Sequence, residues 1–204
     1  MKTKLGPVQL LYPIPIVLVG AVVKGRPNFE TIGQAAIMGV RPALVCISSG
    51  RDHHTNAGII ERRAFSINLP TTELLPAVDY CGMVSGRDVD KAALFDVFTS
   101  DSLGVPMIRQ CPVNLECQVI HEFSVEHRQM FVARVVETYV NSDLVQLERP
   151  GEGAGRPLLA PLTQLDPIIY ALDQKYYRVG DAIGRSYHEG KKLQGGQTAE
   201  GSEQ

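Results

Sequence analysis

The chain has 204 residues, 44% of them hydrophobic and 21% charged, with 20 basic against 22 acidic side chains for a formal net charge of -2. That length sustains one domain with its own core, and no break in composition before the C-terminal tail suggests a second. Balanced charge leaves no basic face of the kind that tracks a nucleic-acid backbone, so nucleic acid is excluded as an expected partner.

Two lysines open the chain, and the apolar run behind them is broken by Pro7, Pro13 and Pro15 and ended by Lys24. It is too short to span a membrane and no small-residue cleavage site follows, which predicts a soluble, cytoplasmic protein. Within it, IPIVLVGAVVK is rich in β-branched residues and closes on Gly25-Arg26-Pro27, a strand and a turn whose prolines keep its start off a central ladder position. From Asn28 to Gly33 the alternation is loose. The lack of bulk at Gly33, Ala35, Ala36 and Gly39 suits a flat ring lying against backbone, and equally suits a glycine-bearing hairpin.

Ala43 to Ile47 is a continuous apolar run, read as a strand buried on both faces that ends in the polar turn Ser48-Ser49-Gly50-Arg51. Thr55 or Asn56 then serves as N-cap for a short helix over AGIIERRA, whose free N–H groups, beside Arg51, His53 and His54, would attract a phosphate. A metal bound by Asp52, His53 and His54 is disfavoured, because adjacent residues point apart. Phe65 to Leu69 alternates as a strand, with Ser66 and Asn68 on its polar face. Thr71 or Thr72 caps the helix TELLPAVDYCG, which Gly82 stops. The turn Val84-Ser85-Gly86-Arg87 leads to a second short helix, Asp88 to Phe95; it departs from the P-loop pattern, and Lys91 taken alone reads as a solvated helix lysine.

From Pro106 onward the chain reads as strands. CPVNLECQVIHEFSV and MFVARVVETYV flank a turn at Glu126 to Gln129 and predict a hairpin, followed by LVQLER, a loop PGEGAGRP, and a last pair around Ile168 to Tyr170 and Tyr176 to Val179. Tyr170, Tyr176 and Tyr177 are interface anchors or the packing of a barrel end. Cys46, Cys81, Cys111 and Cys117 lack CxxC spacing, and disulfides and zinc are not expected. Gly190 to Gln204 has almost no large apolar residue and is expected to be disordered. Short strands at Greek-key-compatible spacing, with a few small helices, make an all-β barrel the expected fold.

Taken in order, YPIPIVLVGAVV, PNFETIGQAAIMGVRPALVCIS, HHTNAGI, FSINLP and DYCGMVSGRDVDK resemble the flavoredoxin and flavin-reductase-like family of FMN-binding split barrels, from Tyr12 to Gly184. The order of the motifs, more than any one of them, makes the resemblance specific. It implies a Greek-key split β-barrel with short helices over residues 1–188, a tail over 189–204, and a homodimer with FMN in the groove between subunits.

The same resemblance places Lys91, in an SGxxxDK register with Ser85, Gly86 and Asp90, over the flavin phosphate or ribityl chain. Asn28 and the backbone of Thr31, Ile32, Gly33, Gln34, Ala35 and Ala36 would face the ring. Ser48, Arg51, His54, Thr55 and Asn56 would hold the phosphate end, and His127 would approach the flavin of its own or the neighbouring subunit, although by itself it reads as an exposed turn histidine. Gln34 stands where some relatives place an aromatic, and the chain has no Trp. The implied function is an oxidoreductase passing electrons from NAD(P)H through FMN to an acceptor. The alternative is a non-enzymatic flavoredoxin-type carrier fed by a redox protein partner, and a weaker one is a barrel that holds another planar ligand.

Overall fold

The structure, a computed structural model, describes residues 2–147 and 157–191. The strands are β1 (Ile14–Pro15), β2 (Val17–Val23), β3 (Arg26–Ile32), β4 (Ala35–Val40), β5 (Ala43–Gly50), β6 (Ala64–Leu69), β7 (Val97–Thr99) and β8 (Pro106–Ile108). They continue with β9 (Val113–Val125), β10 (Arg128–Val140), β11 (Val145–Leu147), β12 (Pro157–Leu159), β13 (Ile168–Ala171) and β14 (Lys175–Arg178). Short helices α1 (His54–Arg62), α2 (Leu75–Met83) and α3 (Leu162–Leu165) lie between them. The protein is therefore mostly β with a few short helices.

Seven strands form one antiparallel sheet in the order β3-β2-β6-β9-β10-β5-β4. β3 and β4 are consecutive in the chain, with only Gly33 and Gln34 between them, yet they occupy opposite edges. A link that short forces the sheet to roll until its edges approach, which gives a barrel left unpaired along one seam. The Gln34 carbonyl accepts from the Ser48 amide at 2.9 Å, which carries the β4–β5 pairing on into that link. Lys24 and Gly25 turn β2 into β3 with φ of 50° and 80°, the two positive values that a tight hairpin of right-handed twist requires.

β2 is apolar throughout because its two faces feed different cores. Val17, Val19 and Ala21 join Ile47, Phe65 and Phe131 in one cluster, while Leu18 joins Phe29, Val78, Phe95 and Ile168 in another beneath α2. The prolines act as expected: β1 breaks from β2 and pairs with β13 in a separate small sheet. α1 lies so close to β2 that a Cβ on Gly58 would sit 2.3 Å from the Val22 carbonyl oxygen, so this helical position takes glycine.

Several expectations are corrected. β5 runs on through Ser48 and Ser49 to Gly50, because Met130 and Gln129 of β10 continue its ladder. Leu44 and Cys46 are only half-buried, since β4 leaves their face open at the sheet edge. Ser66 and Asn68 are fully buried. Asn68 Nδ2 donates to the Leu18 carbonyl at 2.8 Å, and its Oδ1 accepts from the Ile108 amide at 3.0 Å and Asn114 Nδ2 at 2.7 Å, so β8 covers the polar face of this strand.

α1 begins at His54 with His53 at its N-cap and no side-chain cap; Thr55 and Asn56 lie inside the helix, where tertiary partners take their polar groups. Neither Thr71 nor Thr72 caps α2. A 3₁₀ turn over Thr72–Leu74 precedes it, Thr72 bonds Asp166, and the helix passes through Gly82 to Met83. The expected helix from Asp88 shrinks to a 3₁₀ turn, Lys91–Leu94, because the Asp88 and Val89 amides fold back onto the Ser85 carbonyl and Asp90 caps the turn at Ala92. The β9–β10 hairpin and the β13–β14 pair stand as predicted. Most of the 150–157 loop and residues 192–204 of the tail lie outside the described residues.

Candidate functional site

Three segments remote in sequence converge beside α1: the buried end of β3, the turn Ser85 to Arg87, and Lys91. Asn28 of β3 is buried and donates from Nδ2 to Thr55 Oγ1 at 2.8 Å, joining the strand to the first turn of α1. The turn lies directly on Asn28, where a Cβ on Gly86 would fall 1.9 Å from Asn28 Oδ1 and 3.0 Å from His54 Cδ2. Arg87 reaches back to donate from Nη2 to the Asp52 carbonyl at 2.6 Å. Asn56 donates to the Gly50 carbonyl at 2.6 Å and so holds the entry to α1.

A cleft of about 580 Å³ opens here, lined by Lys24, Arg26, Asn28, His54, Arg87 and Lys91 among others. A second, of about 350 Å³, shares His54, Gly86, Arg87 and Lys91 with it and adds Glu30, Thr31, His53 and Thr55. A third, of about 290 Å³, meets the second at Gly82 and is walled by Gly33, Gln34, Ile16, Tyr170 and Tyr176. Together they form a trough that runs from a cation-rich end, past hydroxyl and carboxylate groups, to an apolar and aromatic end.

Lys91 is 4% exposed, with Nζ donating to the Cys81 carbonyl at 2.7 Å. Burial lowers its pKa from the ordinary lysine value, opposed by the Cys81 thiol and the Glu30 carboxylate. His54 is also lowered, by burial first and then by Arg87, Lys24 and Lys91, so its imidazole is neutral near pH 7 and able to take a proton if an anion arrives. His53 moves the other way, raised chiefly by its hydrogen bond to Glu30. Five cationic or protonatable groups, Lys24, Arg26, His54, Arg87 and Lys91, line one end, with the first amides of α1 beside them, donors of the type that a phosphate takes.

The structure brings together Asn28, Thr31, His54, Thr55, Ser85 and Lys91 of the residues singled out in the sequence. Asn56 supports them from beneath. Gly33 and Gln34 lie at the third cavity, with Ala35 packed against the main core, Ala36 exposed on β4 and the Ile32 side chain inside that core. Ser48 stands apart from the trough, its Oγ accepting from Arg128 Nε at 3.0 Å. Arg51 and His127 are exposed and meet through backbone, the Arg51 amide donating to the His127 carbonyl at 3.0 Å.

Arg128, next to His127 on β10, reaches over β5 to the link between β3 and β4. Its Nη2 donates to Gln34 Oε1 at 3.0 Å and to the Ser48 carbonyl. Arg87, Glu30 and Arg128 were not picked out as site residues. The signal for Glu30 was its phase, two residues from both Asn28 and Ile32 on one strand face. Among the described residues no group of three or more His, Cys, Asp or Glu could hold a metal ion, and no helix is long and apolar enough to cross a membrane.

A rolled seven-stranded sheet with a phosphate-suited trough at its seam defines a ligand-binding barrel. Residues 10–162 match the family described as the flavin reductase like domain, and the chain belongs to that family. Its fold is similar to flavoredoxin from Methanosarcina acetivorans, with a TM-score of 0.85 and 32% identity over 95% of this chain and 99% of the other. It is also similar to flavoredoxin of Desulfovibrio vulgaris (Miyazaki F), with a TM-score of 0.80 and 28% identity over 93% and 100% of the two chains. An FMN-binding protein from Thermus thermophilus, solved with bound 1-cyclohex-2-enone, shares the fold at a TM-score of 0.71 and 22% identity over 91% and 97%.

Proposed function

We propose that the trough binds FMN and that the protein transfers electrons through it, as a carrier of the flavoredoxin type. The observation that carries the cofactor assignment is Lys91: a nearly fully buried ammonium, beside His54 and Arg87 on a shared cavity, with a single protein acceptor for its three donors. Such a group answers a phosphate. In this reading Lys91, Arg87, His54 and the α1 amides hold the phosphate. Asn28 and Gly86 set the spacing between β3 and the turn, and Arg128 fixes Gln34 and the backbone of Thr31 to Ala36 at the ring end. Bound FMN supplies the redox chemistry, taking up a hydride or electrons and releasing them singly or in pairs. The protein's part is to bind, orient and shield.

The carrier role is supported by the likeness to two flavoredoxins over almost the whole of each chain. A second reading, an NAD(P)H-dependent flavin reductase, is supported by the match to the flavin reductase like domain. The purified protein decides between them. FMN absorbance bands that persist under anaerobic NADH and NADPH but bleach with a reduced low-potential redox protein fit the carrier, whereas bleaching by a pyridine nucleotide alone fits the reductase. A colourless protein that takes up no added FMN refutes both.

We further propose a homodimer. β4 is an edge strand whose Ile37, Met38 and Val40 are 79%, 58% and 80% exposed, an apolar edge of the kind a second copy covers. Ile37→Asp is expected to convert the sedimenting species from dimer to monomer, and an unchanged dimer would place the interface elsewhere.

A further inference from the structure

Asn28, Glu30 and Ile32 share one face of β3, and Ile32 enters the main core. Glu30 is thus a carboxylate in phase with a core residue, 6% exposed. Its Oε1 accepts from Ser49 Oγ at 2.9 Å and is hydrogen-bonded to His53 Nδ1. Its Oε2 is buried too and has no hydrogen-bond partner among the described residues.

The other deeply buried glutamate shows what a structural role looks like. Glu116 of β9 is 0% exposed, and its Oε1 takes Ser100 Oγ at 2.6 Å and the Leu103 amide while its Oε2 faces the Tyr139 hydroxyl at 3.5 Å. Both oxygens of Glu116 are used to close a loop. Glu30 ties β3 to Ser49 and His53 through Oε1 alone, and it lines the middle cavity of the trough together with Thr31, Thr55 and Lys91. A buried carboxylate oxygen without a donor costs free energy that a ligand donor recovers.

The position narrows what that donor is. A phosphate is repelled by a buried carboxylate, and the first cavity, where Lys24, Arg26, His54, Arg87 and Lys91 outnumber Asp88 and Asp90, is the end that suits it. The isoalloxazine ring, whose one N–H donor sits at its pyrimidine edge, belongs at the Gly33–Gln34 end. Between the two, FMN carries its ribityl chain, a run of hydroxyl donors. We infer that Glu30 is the acceptor for a ribityl hydroxyl, held in place by Ser49 and His53, and that it makes the site selective for flavins that carry the polyol. This rests on the FMN reading above.

The test is the dissociation constant, from quenching of flavin fluorescence, for FMN, riboflavin and lumiflavin (the ring without the polyol). Wild type is compared with Glu30→Ala and with Glu30→Gln, which keeps the shape, each checked for folding by thermal melt. Riboflavin is expected to weaken by roughly tenfold or more in E30A and by a smaller factor in E30Q, as for a charge-assisted hydrogen bond. Lumiflavin should change by less than about twofold, the ordinary scatter of a surface-level change. FMN should weaken no more than riboflavin, because removing the carboxylate also relieves repulsion of the phosphate. Equal losses for all three flavins would overturn the inference in favour of a general packing role. A loss confined to FMN, or none for riboflavin, would overturn it too, while wild-type FMN binding left the cofactor reading standing. Failure of wild type to bind any flavin would bring down both.

Discussion

Replacing Lys91 tests the phosphate end directly. The ammonium is buried, and one of its three donors is spent on the Cys81 carbonyl at 2.7 Å, which leaves two for a ligand. A charge-assisted bond from such a group to a phosphate is worth about 1.5–3 kcal/mol, or roughly tenfold to 150-fold in Kd. Lys91→Met preserves most of the buried stem and removes only the charge and the donors. Stability of the apo-protein should shift by about 1 kcal/mol or less, because the lost bond to Cys81 is offset by no longer desolvating an ammonium. The assay is paired titration with FMN and riboflavin, plus thermal melts without flavin. FMN affinity should fall by the stated factor while riboflavin holds within about twofold. Parallel loss of both ligands, or unchanged FMN binding in a folded variant, would refute the assignment of Lys91 to the phosphate.

Gly86→Ala forces a Cβ to within 1.9 Å of Asn28 Oδ1, so the turn or Asn28 must move and the Asn28–Thr55 bond with it; FMN affinity and melting temperature should both drop, the latter by the equivalent of about 1–3 kcal/mol. His54, held low by burial and by Arg87, Lys24 and Lys91, should take up a proton when a phosphate arrives. FMN binding is therefore expected to tighten as pH falls through the imidazole range more steeply than in His54→Gln, and coincident pH profiles would refute it. His53 is raised by Glu30, against burial and the opposing charges of Arg128 and Lys91. Its contribution to stability should be complete below pH of about 6.5 and lost as pH rises through the raised value, so the gap in melting temperature between wild type and His53→Gln should close on the alkaline side, and a gap that widens there would contradict the pairing.

What could be read from the sequence was what neighbours in the chain determine. The β9–β10 hairpin follows from two alternating runs around a short turn, and β2 from an unbroken apolar run, although only the structure shows that the run is unbroken because two cores claim its two faces. Lys91 is the opposite case. Its local pattern is that of a solvated short helix, and what buries it is the trough formed with β3, α1 and the Ser85 to Arg87 turn, none of which local pattern places beside it. The family resemblance singled it out, and local propensity did not.

The same limit hid Arg128. Nothing in the local pattern distinguishes it from other surface arginines, but the fold sets it opposite Gly50, where no side chain blocks its reach to Ser48 and Gln34. Glu30 was legible in principle. A charged residue two positions before a buried isoleucine on a strand is either at an open edge or serves a ligand, and the unpartnered oxygen beneath α1 favours the second. Polar residues that break the hydrophobic phase of β3, Asn28 and Glu30, thus mark the trough from within the strand, whereas Arg51 and His127 are exposed at the hairpin end of β5 and β10, away from the cavities of this protomer.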